Sequence, residues 1–162
     1  MDIIDLLFLE HKKHLESIDK LQNLFKNART ILNEKTLSML QEELQEVCLD
    51  LKLHFQKEEE GLFQFLYEKI KNKDNLLKEL IGEHKIIQDL CEKSLKNINL
   101  IKQGINQWPE LRNNINELLH YLNDHILKEN TILFKICIEY LDKETLIKGF
   151  SIAEDIEKKF FS

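Results

Sequence analysis

The chain is poor in the residues that end helices and form β-turns. Among 162 residues it has four glycines and one proline, and it contains no Asn-Gly or Asp-Gly pair. This scarcity of turn residues excludes a chain built from many short hairpins. Leu, Ile, Lys, Glu and Asn dominate instead. The composition therefore predicts an all-α protein.

The sequence also lacks a basic surplus and long apolar runs. The formal net charge is −6 with both signs interspersed, which excludes the electrostatic footprint of a nucleic-acid-binding protein. No run approaches the length of a membrane span. Asp2, Asp5 and Glu10 interrupt the apolar N-terminus, which has no basic segment or small-residue cleavage site of a signal peptide. We therefore expect a cytoplasmic protein without a membrane partner.

Cysteines are few and far apart. Cys48, Cys91 and Cys137 are odd in number and lie in apolar surroundings. Such a pattern favours buried thiols in a reducing compartment over a disulfide framework.

Apolar residues recur at helical spacing in four long segments. Breaks fall near Asn33, over residues 72–75 and over residues 104–109, and Asp142 can cap a fifth helix over residues 143–160. Short links between long amphipathic helices predict one domain over residues 1–162, an up-down-up-down four-helix bundle with a short C-terminal fifth helix. The sequence leaves open whether that helix covers an end of the bundle or forms a dimer surface.

A ten-residue pattern occurs twice. HFQKEEEGLF begins at His54 and HILKENTILF at His125, and both fit H-x-x-K-E-x-x-x-L-F. The triplet E-H-K, centred on His11 and on His84, precedes each copy. The chain therefore consists of two similar helical hairpins in succession.

The repeated histidines and glutamates lie on the apolar stripes of their helices, where polar residues are unusual. His54 and Glu58, like His125 and Glu129, are one turn apart and point the same way. The predicted stripes then continue through Leu62, Phe65, Ile132 and Ile136.

All four helices should bring these groups to one level. In an antiparallel hairpin, residues equidistant from the turn lie side by side. The midpoint between His11 and His54 falls near residue 33, and that between His84 and His125 falls near residue 104. Four imidazoles and two carboxylates would then meet in an apolar interior.

Burying those carboxylates alone would cost several kcal/mol each. Two divalent cations would neutralise Glu58 and Glu129 and take up the imidazole lone pairs. Two carboxylates with four histidines exceed what one tetrahedral zinc needs. The pattern therefore predicts a dinuclear metal centre.

These motifs resemble the hemerythrin family, specifically its HHE cation-binding branch, from His11 to about Leu141. The resemblance implies a non-haem di-iron centre inside a four-helix bundle. It implies terminal histidine ligands and bridging carboxylates, carried over onto these residues: His11, His54, His84, His125, Glu58 and Glu129. Zinc or manganese could occupy the same ligands.

Two positions depart from the oxygen-carrying members of that family. Gln88 stands where they have a second histidine on the third helix, and Asn130 stands where they have an aspartate, whose role Glu129 takes. We hypothesise that His14, one turn after His11, is a fifth histidine ligand. The alternative is a histidine at the rim of the site.

A run of glutamates and a repeated phenylalanine accompany the candidate ligands. In the run from Glu58 to Glu60, only Glu58 is expected to turn inward. Phe63 and Phe134, the repeated phenylalanine, are expected to pack around the site and keep it dry.

The resemblance supports three functional hypotheses. The first is reversible binding of O2, or of NO or peroxide, for storage, delivery or sensing. The second is an enzyme that reduces NO or peroxide or takes part in iron–sulfur cluster repair. The third is an iron-sensing interaction module.

Overall fold

A computed structural model describes residues 1–30, 33–71 and 75–162, and these contain helices but no β-strand. The elements, in chain order, are α1 (Ile3–Thr30), α2 (Glu34–Glu58), the π-helical segment π1 (Glu59–Phe63), α3 (Gln64–Lys69), α4 (Asn75–Lys102), α5 (Trp108–Lys128), the π-helical segment π2 (Glu129–Leu133), α6 (Phe134–Tyr140) and α7 (Lys143–Phe160). None of these helices is long and apolar enough to cross a membrane.

Four long rods form the bundle. The first is α1 and the third is α4, while α2–π1–α3 and α5–π2–α6 each run on without a break as the second and fourth. The predicted four-helix bundle with a short C-terminal helix is confirmed. Of the predicted break over residues 72–75, residues 72–74 lie outside the described part of the chain.

Local sequence explains where the rods begin and end. Asn33 caps α2, because its side chain accepts a hydrogen bond from the Thr36 amide at 2.7 Å. Gly104 ends α4 with a φ of 85°, and its amide bonds the Ile101 carbonyl at 3.0 Å. Only glycine adopts such a φ without strain. Pro109, in the first turn of α5, needs no amide hydrogen there.

The two π segments shift the buried stripe by one residue. A π turn holds one residue more than an α turn, so later side chains lag behind the α-helical period. Leu133 and Cys137 are buried, whereas Ile132 is 47% exposed. The predicted stripe through Ile132 is therefore wrong, and Ile136 is only partly buried.

The same shift occurs in the second rod. Leu62 is buried as predicted, but Phe63 and Leu66 replace Phe65 as its fully packed neighbours. Both rods therefore change register immediately beyond Glu58 and Glu129, the glutamates of the repeat.

The core has two apolar clusters separated by a polar layer. One cluster includes Leu40, Leu44 and Ile115. The other includes Leu7, Leu66 and residues of α7 such as Ala153. The repeated histidines and glutamates lie between them along every rod, so protein packing shields them on both sides.

The fifth helix lies against this second cluster. Asp142 caps α7 by accepting from the Thr145 amide at 2.8 Å, and α7 packs on α1, α2 and π1. A Cβ atom on Gly149 would lie 2.3 Å from the Gly61 carbonyl oxygen, so the close approach requires glycine. In this chain α7 covers the part of the bundle that holds π1.

Candidate metal centre

Six of the side chains predicted to face inward meet in the polar layer, each no more than 2% exposed. They form two overlapping groups, and within each group the candidate ligand atoms all lie within 4.8 Å of one another. One group is His11, His54, Glu58 and Glu129; the other is Glu58, His84, His125 and Glu129. The two glutamates belong to both groups.

The imidazoles face each other in pairs. The Nε2 atoms of His11 and His54 are 3.1 Å apart, and those of His84 and His125 are also 3.1 Å apart. Two nitrogens at this distance cannot both carry a hydrogen between them. Each pair therefore directs its nitrogen atoms at one point that a single proton or a single cation can occupy.

Each carboxylate spans the two imidazole pairs. Glu58 places Oε1 3.0 Å from His54 Nε2 and Oε2 3.1 Å from His84 Nε2. Glu129 places Oε2 3.1 Å from His11 Nε2 and Oε1 3.2 Å from His125 Nε2. Because each glutamate offers one oxygen to each pair, the arrangement suits carboxylates that bridge two ions.

Acceptors outside the layer fix the orientation of the imidazoles. Nδ1 of His54 donates to Glu10 Oε2 at 2.7 Å, and Nδ1 of His125 donates to Glu83 Oε2 at 2.7 Å. A carboxylate can only accept, so the ring hydrogen lies on Nδ1 and the Nε2 lone pair points inward. This is the tautomer that a metal ligand needs.

Two lysines hold these outer carboxylates. Lys57, only 2% exposed, donates to Glu10 Oε1 at 2.6 Å and to Glu157 of α7 at 2.9 Å. Lys128 donates to Glu83 in the same way. The positive charge of each lysine stabilises the ionised form of the outer glutamate. The ionised carboxylate in turn holds the imidazole in place.

The other two imidazoles are held from the opposite hairpin. Nδ1 of His84 donates to Glu59 Oε1 at 2.8 Å, and Nδ1 of His11 donates to Asn130 Oδ1 at 2.7 Å. The expectation that only Glu58 of its acidic run turns inward is therefore wrong. Glu59 reaches from a partly exposed position to a buried histidine.

Aromatic rings close the layer. Phe63 stacks on His84 with ring centroids 5.7 Å apart, and Phe134 stacks on His11 at 5.4 Å. Phe55 stacks on His84 at 3.9 Å. The predicted packing role of the repeated phenylalanine is confirmed, since each one covers an imidazole of the other hairpin.

The geometry explains every letter of H-x-x-K-E-x-x-x-L-F. The histidine and glutamate supply inward donor atoms, and the lysine holds the glutamate that precedes the histidine in E-H-K. The leucine packs in the apolar cluster and the phenylalanine covers the opposite hairpin's imidazole. The repeat is thus the sequence signature of two half-sites that complete each other.

The layer is short of positive charge. With the Nδ1 hydrogens directed outward, none of the four oxygens of Glu58 and Glu129 has a hydrogen-bond donor, although both side chains are fully buried. Burial and the Glu58 charge would raise the pKa of Glu129, but the surrounding imidazoles outweigh them and lower it to about 2. Burial would also raise the pKa of Glu58, but His54, with His11 and His84, lowers it.

The imidazoles respond in the opposite sense. Burial would lower the pKa of His11, but Glu129 and Glu58 raise it to about 10; the same causes, with Glu59, raise the pKa of His84 to about 11. Burial would lower the pKa of His125 as well, but Glu129 and Glu83 raise it to about 8. A metal-free layer therefore binds protons in place of cations.

These residues fit cations better than protons. A cation beside an imidazole pair would be held by the two Nε2 atoms of that pair and by oxygens of Glu58 and Glu129, which otherwise lack a hydrogen-bond donor. Mixed imidazole and carboxylate donors suit iron, zinc and manganese.

The seventh predicted residue, His14, lies outside both groups. His14 is 3% exposed, its ring stands edge-on to His54 with centroids 4.7 Å apart, and its Nδ1 has no partner. Burial lowers the pKa of His14 to about 3, so this ring is neutral. Its repeat counterpart is the fully buried Ile87, while Gln88 lines a surface groove.

The outer carboxylates give a test of one half-site at a time. Glu10→Gln removes the charge that orients His54, and Glu83→Gln does the same at His125. Each variant is expected to bind one of the two ions about 10- to 100-fold more weakly, because loss of an outer hydrogen-bond partner has that effect on metal affinity. Metal content after dialysis against a weak chelator should fall from two ions to one per chain.

Glu16→Gln, an exposed glutamate of α1, is the matched control and should keep both ions. Unchanged metal content in both outer variants would show that these hydrogen bonds do not support the ligands.

Comparison with known proteins agrees with this geometry. The hemerythrin HHE cation-binding domain matches residues 2–137, which include all six inward-facing side chains. No curated protein matches the chain. Because the match covers most of the 162 residues, the chain belongs to the hemerythrin HHE cation-binding domain family.

Proposed function

We propose that this protein binds two non-haem iron ions in the polar layer and uses them to bind O2, or a related small molecule such as NO or peroxide, reversibly. Storage, delivery or sensing of that molecule would be its role, in the cytoplasm. One observation carries the proposal: each group supplies two imidazoles and two shared carboxylates, only four residues for each ion. Octahedral iron would keep open positions for an outside ligand.

The family match favours iron as the working metal. Zinc and manganese fit the same residues, but zinc has no redox chemistry. When bound, the iron pair would supply electrons to the small molecule and take them back on its release. The chain's own task is to hold the pair, fix the ligand tautomers and limit access.

Access is restricted to small molecules. Phe55, Phe63 and Phe134 cover the imidazoles within the bundle. A cavity of about 120 Å³, lined among others by Glu10, His14 and Lys57, lies outside the layer, beside the Glu10 carboxylate that holds His54. None of the six inward-facing side chains lines this cavity, and their burial favours a binding protein for a small molecule over an enzyme for large molecules.

We retain His14 in the proposal as a candidate fifth histidine ligand for the ion on that side. It is buried, its Nδ1 atom has no hydrogen-bond partner, and its ring is adjacent to His54. Unchanged iron content and an unchanged absorption spectrum in the His14→Ala variant would show that His14 is not a ligand.

The test of function is cyclic exposure of the reduced, iron-loaded protein to air. A charge-transfer absorption band should appear with O2, disappear when O2 is removed, and return over several cycles at constant iron content. Glu60→Gln, at an exposed position two residues from Glu58, should behave like the wild type.

Irreversible oxidation of the iron at the first exposure would contradict reversible binding. Many turnovers of NO or peroxide with a supplied reductant would establish the enzymatic alternative instead. A protein partner bound only in the presence of iron would establish the sensing module.

A further inference from the structure

Two of the three cysteines meet on the side of the bundle. Cys48 of α2 and Cys91 of α4 are joined by a disulfide, with their Cα atoms 5.9 Å apart. The expectation of separate buried thiols is wrong for this pair and holds only for Cys137, which is free and fully buried. A Cα distance near 6 Å is typical of disulfides, so the pair can open and close without moving the backbone far.

The two sulfurs differ in access. Cys91 is 4% exposed and belongs to the apolar core, whereas Cys48 is only partly buried and packs at its edge. Both line a surface groove of about 380 Å³ that also carries one cation, Lys52, and one anion, Glu92. An uncharged oxidant or a small thiol can therefore reach Cys48, while Cys91 lies deeper, in the apolar core.

The bond would tie the two halves of the metal centre together. Cys48 lies six residues before His54 on α2, and Cys91 lies seven residues after His84 on α4, about 10 Å along each helix. The loop it closes, 43 residues in sequence separation, contains His54, Glu58 and His84. Half of the six inward-facing side chains thus lie inside the closed loop.

We propose that Cys48 and Cys91 are a site of reversible oxidation, closed by peroxide and opened by small thiols, and that closure slows the loss of metal from the adjacent centre. The thiol chemistry stands on the cysteine geometry alone. The effect on metal loss rests on the proposed metal centre.

The disulfide closes in two steps. The Cys48 sulfur attacks one peroxide oxygen, the O–O bond breaks, one water leaves, and Cys48 becomes a sulfenic acid. The Cys91 sulfur then attacks the Cys48 sulfur, the disulfide forms and the second water leaves. Two thiols are oxidised by two electrons, and one peroxide is reduced to two waters.

Opening runs through the accessible sulfur. A small thiol attacks Cys48, Cys91 leaves as the thiol, and a second small thiol releases Cys48 from the mixed disulfide. The two small thiols end as their own disulfide, having given two electrons to the two cysteines.

The test uses reduced, zinc-loaded protein, because zinc takes no part in the redox step. Peroxide should remove the mass of two hydrogen atoms and protect Cys48 and Cys91 from alkylation, and millimolar glutathione should reverse both changes. Zinc release to a chromogenic chelator should be about tenfold slower in the oxidised protein, as expected when a long loop is closed. Cys48→Ala and Cys91→Ala should abolish these responses, whereas Cys137→Ala should keep them.

Three results would overturn the proposal: no mass loss with peroxide, a disulfide that glutathione leaves intact, or equal zinc release from both forms. If the protein binds no zinc at all, the proposed metal centre fails, while the mass and alkylation readouts still decide whether the pair is oxidised reversibly.

Discussion

Glu58→Gln is expected to cost the protein both metal ions rather than one. The two oxygens of Glu58 lie near different imidazole pairs, 3.0 Å from His54 Nε2 and 3.1 Å from His84 Nε2. A glutamine of the same shape removes the negative charge that both ions share. The apparent affinity for each ion should fall by more than the roughly 100-fold that loss of an outer partner can produce.

Metal titration of the stripped variant, followed by dialysis and elemental analysis, measures this effect. Glu129→Gln should have the same result, because Glu129 spans the pairs in the same way. Glu60→Gln controls for removal of a nearby charge. Retention of one tightly bound ion by Glu58→Gln would mean that this carboxylate serves a single ion and does not bridge.

Removing the metals is expected to lower the melting temperature by about 10 °C or more near pH 7. Ions present at a thousand times their dissociation constant contribute about 4 kcal/mol to the free energy of unfolding. In a chain of this size each kcal/mol corresponds to about 2–4 °C. Calorimetry of loaded, stripped and reloaded protein measures the difference, and reloading should restore the original value.

The size of this loss should depend on pH. In the stripped protein the pKa values of His11, about 10, His84, about 11, and His125, about 8, are raised, so the protons on these histidines stabilise the fold fully below the ordinary value of 6.5. That stability is lost progressively as pH rises above 6.5 toward those values. The lowered pKa of Glu129 changes the free energy of unfolding only below pH 4.5, and the lowered pKa of His14 changes it only below pH 6.5.

Between pH 6.5 and 8 the melting temperature of the stripped protein should therefore fall by on the order of 10 °C, because the unfolded chain releases these protons before the folded protein does. The loaded protein should change little, because cations occupy those positions. A stripped protein whose stability is flat or rises over this range would show that its imidazoles do not hold protons against the carboxylates.

Helical period and hairpin length together predict the centre of the site. His54 and Glu58 recur at one-turn spacing on an apolar stripe, and the breaks lie midway between level residues. These two constraints act over the whole length of the rods. Errors of a residue or two at the helix ends therefore do not change which side chains are predicted to meet. The six side chains meet accordingly.

The outer partners of the imidazoles follow no period. Glu59 and Asn130 cross from one hairpin to the other, and their reach depends on side-chain rotamers and on the π segments that begin beside them. No residue type marks a π turn in a single sequence. Glu10 and Glu83 did carry a signal, because a glutamate precedes the histidine in both copies of E-H-K.

The cysteine pair shows a constraint that could have been used. Since His54 and His84 lie level on antiparallel rods, Cys48 and Cys91, displaced from them by six and seven residues in opposite chain directions, must also lie level. Spacing along the chain hid this proximity, while the geometry of the bundle required it.

Elemental analysis of protein purified without added metal, set against its concentration from amino-acid analysis, decides whether the six buried side chains hold a pair of cations. We expect two metal ions per chain, with iron foremost, and close to none in the Glu58→Gln/Glu129→Gln double variant. One ion per chain, none, or an unchanged content in the double variant would contradict this expectation.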